Sequence, residues 1–381
     1  MSTTNPTPAA DPVLLERLAK FIGAGADRPG FMARHPISHA VIGQMTDAVG
    51  DRNPIYTDEA FARTTVHKGL VAPPLWLFSW LMPGIQPEAE QPQLEDGTAY
   101  FELLPTGQRR NPTDRRTLRD EVNDVLEAQG YASPAVTDMT YTYLRYLRPG
   151  ETPRFSSWVV NDIIGPKRTK LGEGFFVTIS LNVFVDDEPV ATIRQRYLRF
   201  KAVASQAGDA GAAAVAQPGS GSATPAPQPQ LRLAPAPGRT RETLRFDQVK
   251  AGDALAPLVV KITPTLVIAG ALASQDYQDV HHDYQYIARR GHPDVFMNMM
   301  TSSGLLGRYL TDWTGPDAIV REHVLRLTRP NYPGDTMRLT GTVRSVELTD
   351  DGRGLVAVDL LGVNSLGTHT DSSIVVQLPT H

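Results

Sequence analysis

Residues 296–313 read FMNMMTSSGLLGRYLTDW, small or apolar on more than one face of a helix. A helix that is apolar most of the way round has to be wrapped by other structure. The residues that follow can do the wrapping: MRLTGTVRSVEL (337–348) and GLVAVDLLGVNSLG (354–367) alternate with the period of long antiparallel strands. A curved antiparallel sheet around one central helix satisfies both patterns, which predicts an α+β fold.

The same order of signals occurs twice. IGQMTDAVGDRNPIYTDEAFA (42–62) and VIAGALASQDYQDVHHDYQYIA (267–288) each run from a helix-compatible apolar stretch into a polar segment. Setting Asp51 against Asp276 brings Ile55 opposite Val280, Tyr56 opposite His281 and Asp58 opposite Asp283. Further on, LRYLRPGET (144–152) echoes LRLTRPNYPGDT (325–336), and strand-like segments follow both, WVVNDIIG (158–165) and GFFVTISLNVFVDD (174–187) in the first half. Two matches in the same order indicate an internal duplication. Between the halves, residues 204–240 are rich in Ala, Pro, Gly, Ser and Gln and hold no aromatic residue, a composition that cannot bury enough apolar surface to order itself. As a coil this linker would span roughly 30–35 Å, enough to join domains lying side by side. The expected organisation is therefore residues 1–203, a linker over 204–240, and residues 241–381.

Composition narrows the function. The chain has 381 residues and no cysteine, which excludes disulfides, thiolate metal sites and cysteine nucleophiles. A formal net charge of -4 without a basic run leaves no electrostatic footprint for nucleic acid. No apolar run is long enough to span a membrane, and the polar start MSTTNPTPAADP lacks the pattern of a signal peptide, so a cytoplasmic location is expected.

The densest cluster of ionisable groups is DYQDVHHD (276–283). Asp276 and His281 suit an acid/base pair, because a carboxylate and an imidazole can together take and return protons near neutral pH. The plainer alternative makes Asp276 a helix cap and His281 a surface histidine. Consecutive side chains diverge, so His281 and His282 are not expected to share a metal ion, and no metal site is expected. His282 reads as a solvent or phosphate contact, and Asp283 as the cap of the helix beginning YQYIARR.

The segment with its D-x-x-x-x-H spacing resembles the active-site segment of MaoC-type enoyl-CoA hydratases, where it usually reads G-D-x-N-P-x-H. GDRNPIY (50–56) matches every position but the histidine, and QDYQDVH (275–281) keeps Asp and His while losing Gly, Asn and Pro. NPIYTDEAFA (53–62), GLVAPPLWLFSWLMPG (69–84) and YLRPGE (146–151) resemble one subunit of the actinobacterial hydratases of steroid side-chain CoA thioesters. DYQDVHHD, the stretch ending in YLTDW and TRPNYPGDT (328–336) resemble the other.

The resemblance implies a double hot dog, two halves each with a sheet wrapped around a central helix and packed as a pseudo-dimer with one continuous sheet surface. It implies hydration of a 2-enoyl-CoA with a bulky, steroid-like acyl group, catalysed by Asp276 and His281. The first half should be silent, since a phenol such as Tyr56, with an ordinary pKa near 10, is a poor proton shuttle. No cofactor is implied, because CoA arrives as part of the substrate. An aldolase partner is implied by the resemblance alone, through an OB-fold-like domain that no segment here resembles, and association of two chains into a homodimer stays open. The remaining alternatives are an acyl-CoA thioesterase and a non-catalytic acyl-CoA-binding partner of another hydratase subunit.

Other site candidates carry two readings each. Val71, Ala72 and Pro73, and likewise Phe296 and Met297, can line an acyl pocket or fill a core. The loop 291–298, ending at Asn298, can offer backbone N–H groups to the thioester oxygen, on which enolate charge develops. Arg148 and Arg329 precede prolines at matching places and can hold CoA phosphates or serve as structural ion pairs.

Overall fold

The computed structural model describes residues 11–85, 94–99, 117–202 and 241–380; the sequence-predicted linker lies outside them. The first half contains α1 (Pro12–Ala19), β1 (Phe31–Met32), α2 (His39–Val49), α3 (Glu59–Ala62) and a 3-10 helix at Pro74–Leu81. It continues with α4 (Leu118–Glu127), β2 (Ser133–Tyr143), β3 (Arg154–Phe155), β4 (Val159–Thr169), β5 (Gly172–Val185) and β6 (Glu188–Ala202). The second half contains β7 (Ala254–Lys261), α5 (Pro264–Ala273), α6 (Tyr284–Ala288), α7 (Met299–Thr314), β8 (Ile319–Leu327), β9 (Thr336–Leu348), β10 (Gly354–Asn364) and β11 (Gly367–Leu378).

The eleven strands form one antiparallel sheet ordered β1-β3-β5-β6-β2-β8-β11-β10-β9-β7, with β4 also paired to β5. The halves join where β2 meets β8, from Met139 opposite Leu325 to Thr142 opposite Glu322. The double hot dog expected from the sequence is thus present as a continuous sheet with helices against it. The duplication shows in backbone geometry. Both α2 and α5 end on a left-handed residue, Gly50 at φ 66° and Gln275 at φ 57°. The next amide, Asp51 or Asp276, then bonds back to the carbonyl five residues earlier, Thr46 at 2.8 Å or Ala271 at 2.9 Å. This is the 6→1 bond of a Schellman ending. Asp58 and Asp283 cap the following short helices with bonds of 2.9 Å to Phe61 N and Tyr286 N.

The two halves differ at their centres. In the second half α7 is 16 residues long and buries Met300, Leu305, Leu306, Tyr309 and Leu310. It begins later than residue 296 because Asn298 is its cap, accepting from Thr301 N at 2.9 Å. In the first half the inner segment is a 3-10 helix of only 8 residues rather than a matching central helix. Pro73 and Pro74 open it and Pro83 with Gly84 closes it, and prolines so close leave no room for a longer helix. That short segment lies across α7, where glycines permit the approach. A Cβ on Gly304 would come within 2.4 Å of Trp76, and one on Gly307 within 3.3 Å of Leu75.

The α5–α7 crossing is equally tight. A Cβ on Gly270 would stand 1.9 Å from Thr301 Oγ1 and within 2.8 Å of two of its carbons. Gly270→Ala therefore gains helix propensity but overpacks a buried β-branched neighbour, and the second effect dominates. The expected outcome is a loss of about 1–3 kcal/mol in unfolding free energy, read by urea denaturation.

Candidate active site

Asp276 follows the left-handed Gln275, so the end of α5 turns its carboxylate inward; it is 3% exposed. His281 lies five residues on, at the end of a 3-10 turn over Asp279–His281, and is 5% exposed. Its Nε2 stands 3.3 Å from Asp276 Oδ2. Its Nδ1 is 2.7 Å from the carbonyl of Phe296, and a carbonyl can only accept, so Nδ1 carries the proton. Nε2 is left to face the carboxylate. The Phe296 ring stands edge-on to the imidazole at 5.3 Å and holds its plane.

Asp276 is itself held on both oxygens. Gln278 Nε2 donates to Oδ1 at 3.0 Å and Asn298 Nδ2 donates to Oδ2 at 3.1 Å. Burial favours the neutral acid, but when Nε2 also carries a proton the hydrogen bond and charge of the His281 imidazolium, with the N–H groups of Gln278 and Asn298, outweigh it and hold the carboxyl below its ordinary range. The pair is therefore a buried carboxylate with one imidazole nitrogen of fixed tautomer facing it, which can orient a polar molecule and move a proton between its atoms.

The sequence profile of the FAS1-like dehydratase domain region matches residues 32–193. The chain is 38% identical over 127 residues to the beta subunit of the 3-oxo-4,17-pregnadiene-20-carboxyl-CoA hydratase of Mycobacterium tuberculosis, covering 33% of this chain and 95% of that one. The chain belongs to the MaoC-like hydratase family. It is also 34% identical over 190 residues to the alpha subunit of the same hydratase, covering 50% of this chain; it spans 53% of that subunit, about half its length. Among solved structures a MaoC-like dehydratase superposes with a TM-score of 0.60 at 17% identity, covering 95% of this chain and 99% of that one, which shows a shared fold.

In this MaoC-like chain Gln278 stands where Asn53 stands in the first half, but the two side chains do different jobs. Gln278 Nε2 donates to the carboxylate of Asp276, whereas Asn53 donates to Asp51 through its backbone N–H and its side-chain oxygen accepts from Ile55 N. Aligning the two halves pairs these positions without revealing the role of Gln278. The neighbouring His292, whose Nδ1 lies 2.7 Å from Tyr332 OH and whose ring is 5.2 Å from that of Phe296, gave no sequence signal at all.

Several expected substrate contacts sit elsewhere. Asn298 is 1% exposed and its side chain is fully engaged inside the protein, so it is not a substrate contact. Met297 and Val71 are core residues, at 3% and 1% exposure. Ala72 and Pro73 line a narrow crevice with Pro74, Leu77, Trp80 and Tyr143, which contains neither Asp276 nor His281. In the loop 291–298, the amides of His292, Val295, Phe296 and Met297 already donate to protein acceptors, so they are not free for a thioester oxygen. Arg148 is structural in this structure, donating to the His67 carbonyl. Arg329 lies in the loop after β8, where His369 Nδ1 donates to its carbonyl. His282 turns away from His281, its Nε2 at 3.1 Å from the Tyr277 carbonyl.

The first half's counterpart is different in kind. Tyr56 is buried, and burial first, with Asp51 second, drives its phenol well above the ordinary range. Asp51 keeps a hydrogen bond from Asn53 N at 3.0 Å. Burial pushes its carboxyl up from 3.8 to about 6, aided by Asp312 and opposed by the Asn53 bond and Arg308. A raised carboxyl favours the protonated folded state, so its contribution to stability is complete below the unfolded value near 3.8 and is lost as pH rises through about 6. Asp51→Asn should accordingly leave stability near pH 4 unchanged and raise it by on the order of 1–3 kcal/mol at pH 8. Urea midpoints at the two pH values check this.

Proposed function

We propose that this protein hydrates a 2-enoyl-CoA thioester to the 3-hydroxyacyl-CoA at Asp276 and His281. The observation that carries the reading is the buried approach of His281 Nε2 to Asp276 Oδ2 at 3.3 Å, with the other imidazole nitrogen committed to the Phe296 carbonyl. A water hydrogen-bonded to both of these atoms from one side is polarised by the carboxylate and loses a proton to Nε2 as its oxygen bonds to Cβ. The pair of electrons from the double bond moves to the thioester as an enolate. His281 then returns the proton to Cα, so water is added across the double bond and the enzyme regains its starting state. The thioester oxygen is best served by the amides of Met299 and Met300 at the start of α7, since Thr301 N is taken by the Asn298 cap, and the helix dipole favours the developing charge. CoA enters with the substrate, and this reaction needs no further cofactor.

The acyl group is proposed to be bulky, of the steroid side-chain kind named in the two Mycobacterium tuberculosis relatives. Support comes from the first half, where an 8-residue 3-10 helix stands where the second half has a 16-residue helix. Opening the crevice beside it, between Leu77, Trp80 and Tyr143, gives an apolar wall for rings. Among the described residues no helix is long and apolar enough to cross a membrane.

The decisive assay follows loss of the conjugated enoyl thioester by absorbance, for crotonyl-CoA, a long-chain enoyl-CoA and a steroid side-chain enoyl-CoA. His281→Ala and Asp276→Asn should each lower kcat by roughly 10²–10⁴-fold with the fold retained by circular dichroism. Turnover of the short substrates but not the steroid one would remove the bulky-acyl assignment. Release of free thiol from a saturated acyl-CoA, without consumption of any enoyl substrate, would replace the hydratase with a thioesterase.

A further inference from the structure

Asn298 has four side-chain hydrogen bonds that serve two separate structures. Its Oδ1 accepts from Thr301 N at 2.9 Å and Thr301 Oγ1 at 2.6 Å, which caps α7. Its Nδ2 donates to Ser274 Oγ at 2.7 Å and Asp276 Oδ2 at 3.1 Å, at the far end of α5. Ser274 is tied in turn to the last turn of α5, donating to Gly270 O at 2.7 Å. An N-cap needs only an oxygen acceptor, and serine, threonine, aspartate and asparagine all provide one. Serine and threonine carry donor and acceptor on one short oxygen, whereas asparagine places them on two separate arms, so that its oxygen can cap α7 while its N–H groups reach Ser274 and Asp276. Asp276 Oδ2 is also the oxygen that faces His281 Nε2 at 3.3 Å, so the Asn298 N–H sets which lone pair of that oxygen remains for the reacting water.

We infer that Asn298 is a positioning residue for the reaction proposed above, fixing the plane of the Asp276 carboxylate through the same side chain that starts α7. The inference rests on the hydratase reading for its kinetic consequence but not for its structural one. The start of α7 and the orientation of Asp276 are one hydrogen-bonded unit, and separating them should impair the chemistry without unfolding the helix.

Asn298→Ser retains a capping oxygen but is too short and lacks the N–H for Asp276. Asn298→Asp, nearly isosteric, retains the cap and sets a second carboxylate against the first. Two readouts apply to the full chain. The titration of Asp276, followed by carboxyl carbon NMR with Asp276→Asn as the assignment control, should move upward in Asn298→Ser and further upward in Asn298→Asp, because a lost N–H donor and a like charge both disfavour the ionised form. In turnover, Asn298→Ser should lose about tenfold or more in kcat with KM little changed and the native fold retained by circular dichroism although its unfolding midpoint is lowered, and the acidic limb of the kcat profile should follow the NMR shift. If Asn298→Ser, folded, keeps the parent kcat, or if neither variant moves the Asp276 titration, Asn298 is a cap alone and the inference falls. If the titration moves while the parent hydrates no enoyl-CoA, the positioning stands and the hydratase reading falls instead.

Discussion

The buried amide of Asn298 joins the end of one helix to the start of another, and the site depends on that junction. A side chain at 1% exposure cannot leave polar atoms unpaired without a cost on the order of 1–3 kcal/mol each. Its partners are therefore dictated by the fold as much as they dictate it. Gly270 brings α5 close enough to Thr301 for the network to close, and the left-handed Gln275 turns Asp276 into it. The catalytic candidates are thus placed by rigid helix ends instead of by a loop free to move, which suits a reaction that needs a water held at one distance from two groups.

Duplication and divergence explain the rest of the architecture. The two halves keep the same helix ending, the same 6→1 bond and the same aspartate cap on the next short helix. They part in side-chain chemistry and in the central element. Where the second half puts His281 opposite a charged, well-paired carboxylate, the first puts a deeply buried phenol near a carboxylate whose proton is held to about pH 6. Among the described residues the first half has no central helix as long as α7, and its short 3-10 segment lies on α7, where Gly304 and Gly307 leave space for Trp76 and Leu75. The Asp276–His281 pair belongs to one half alone, while the β2–β8 seam makes a single sheet of both.

Much of this was legible in the residues because it follows local rules. Periodicity marked α7 and the long strands, and the D-x-x-x-x-H spacing singled out Asp276 and His281 together. Asp283 behaves as the cap its sequence context suggested. Where the reading went astray, long-range contacts decided. Asn298 and Met297 looked available for substrate because sequence does not record what a residue meets across the fold; both face inward. The loop 291–298 looked like a source of free amides, yet distant or folded-back acceptors such as Asn331 and Val280 take them. His292 and Tyr332 are 40 positions apart, and nothing local announces their bond.

The sequence by itself determined the repeated helix–turn–strand order, the loss of histidine from one half and its retention in the other. Those depend on residue identity, spacing and turn chemistry, which act over a few residues. Tertiary structure alone decided which imidazole nitrogen is free, which carboxylate oxygen it faces, and that the first half's central segment would be a short turn docked on its neighbour. Each is set by a partner brought near only by folding: the Phe296 carbonyl, the Asn298 amide and the glycines of α7. A hydrogen bond fixes a tautomer, and close packing fixes a distance, only after the chain has placed both groups in one dry space.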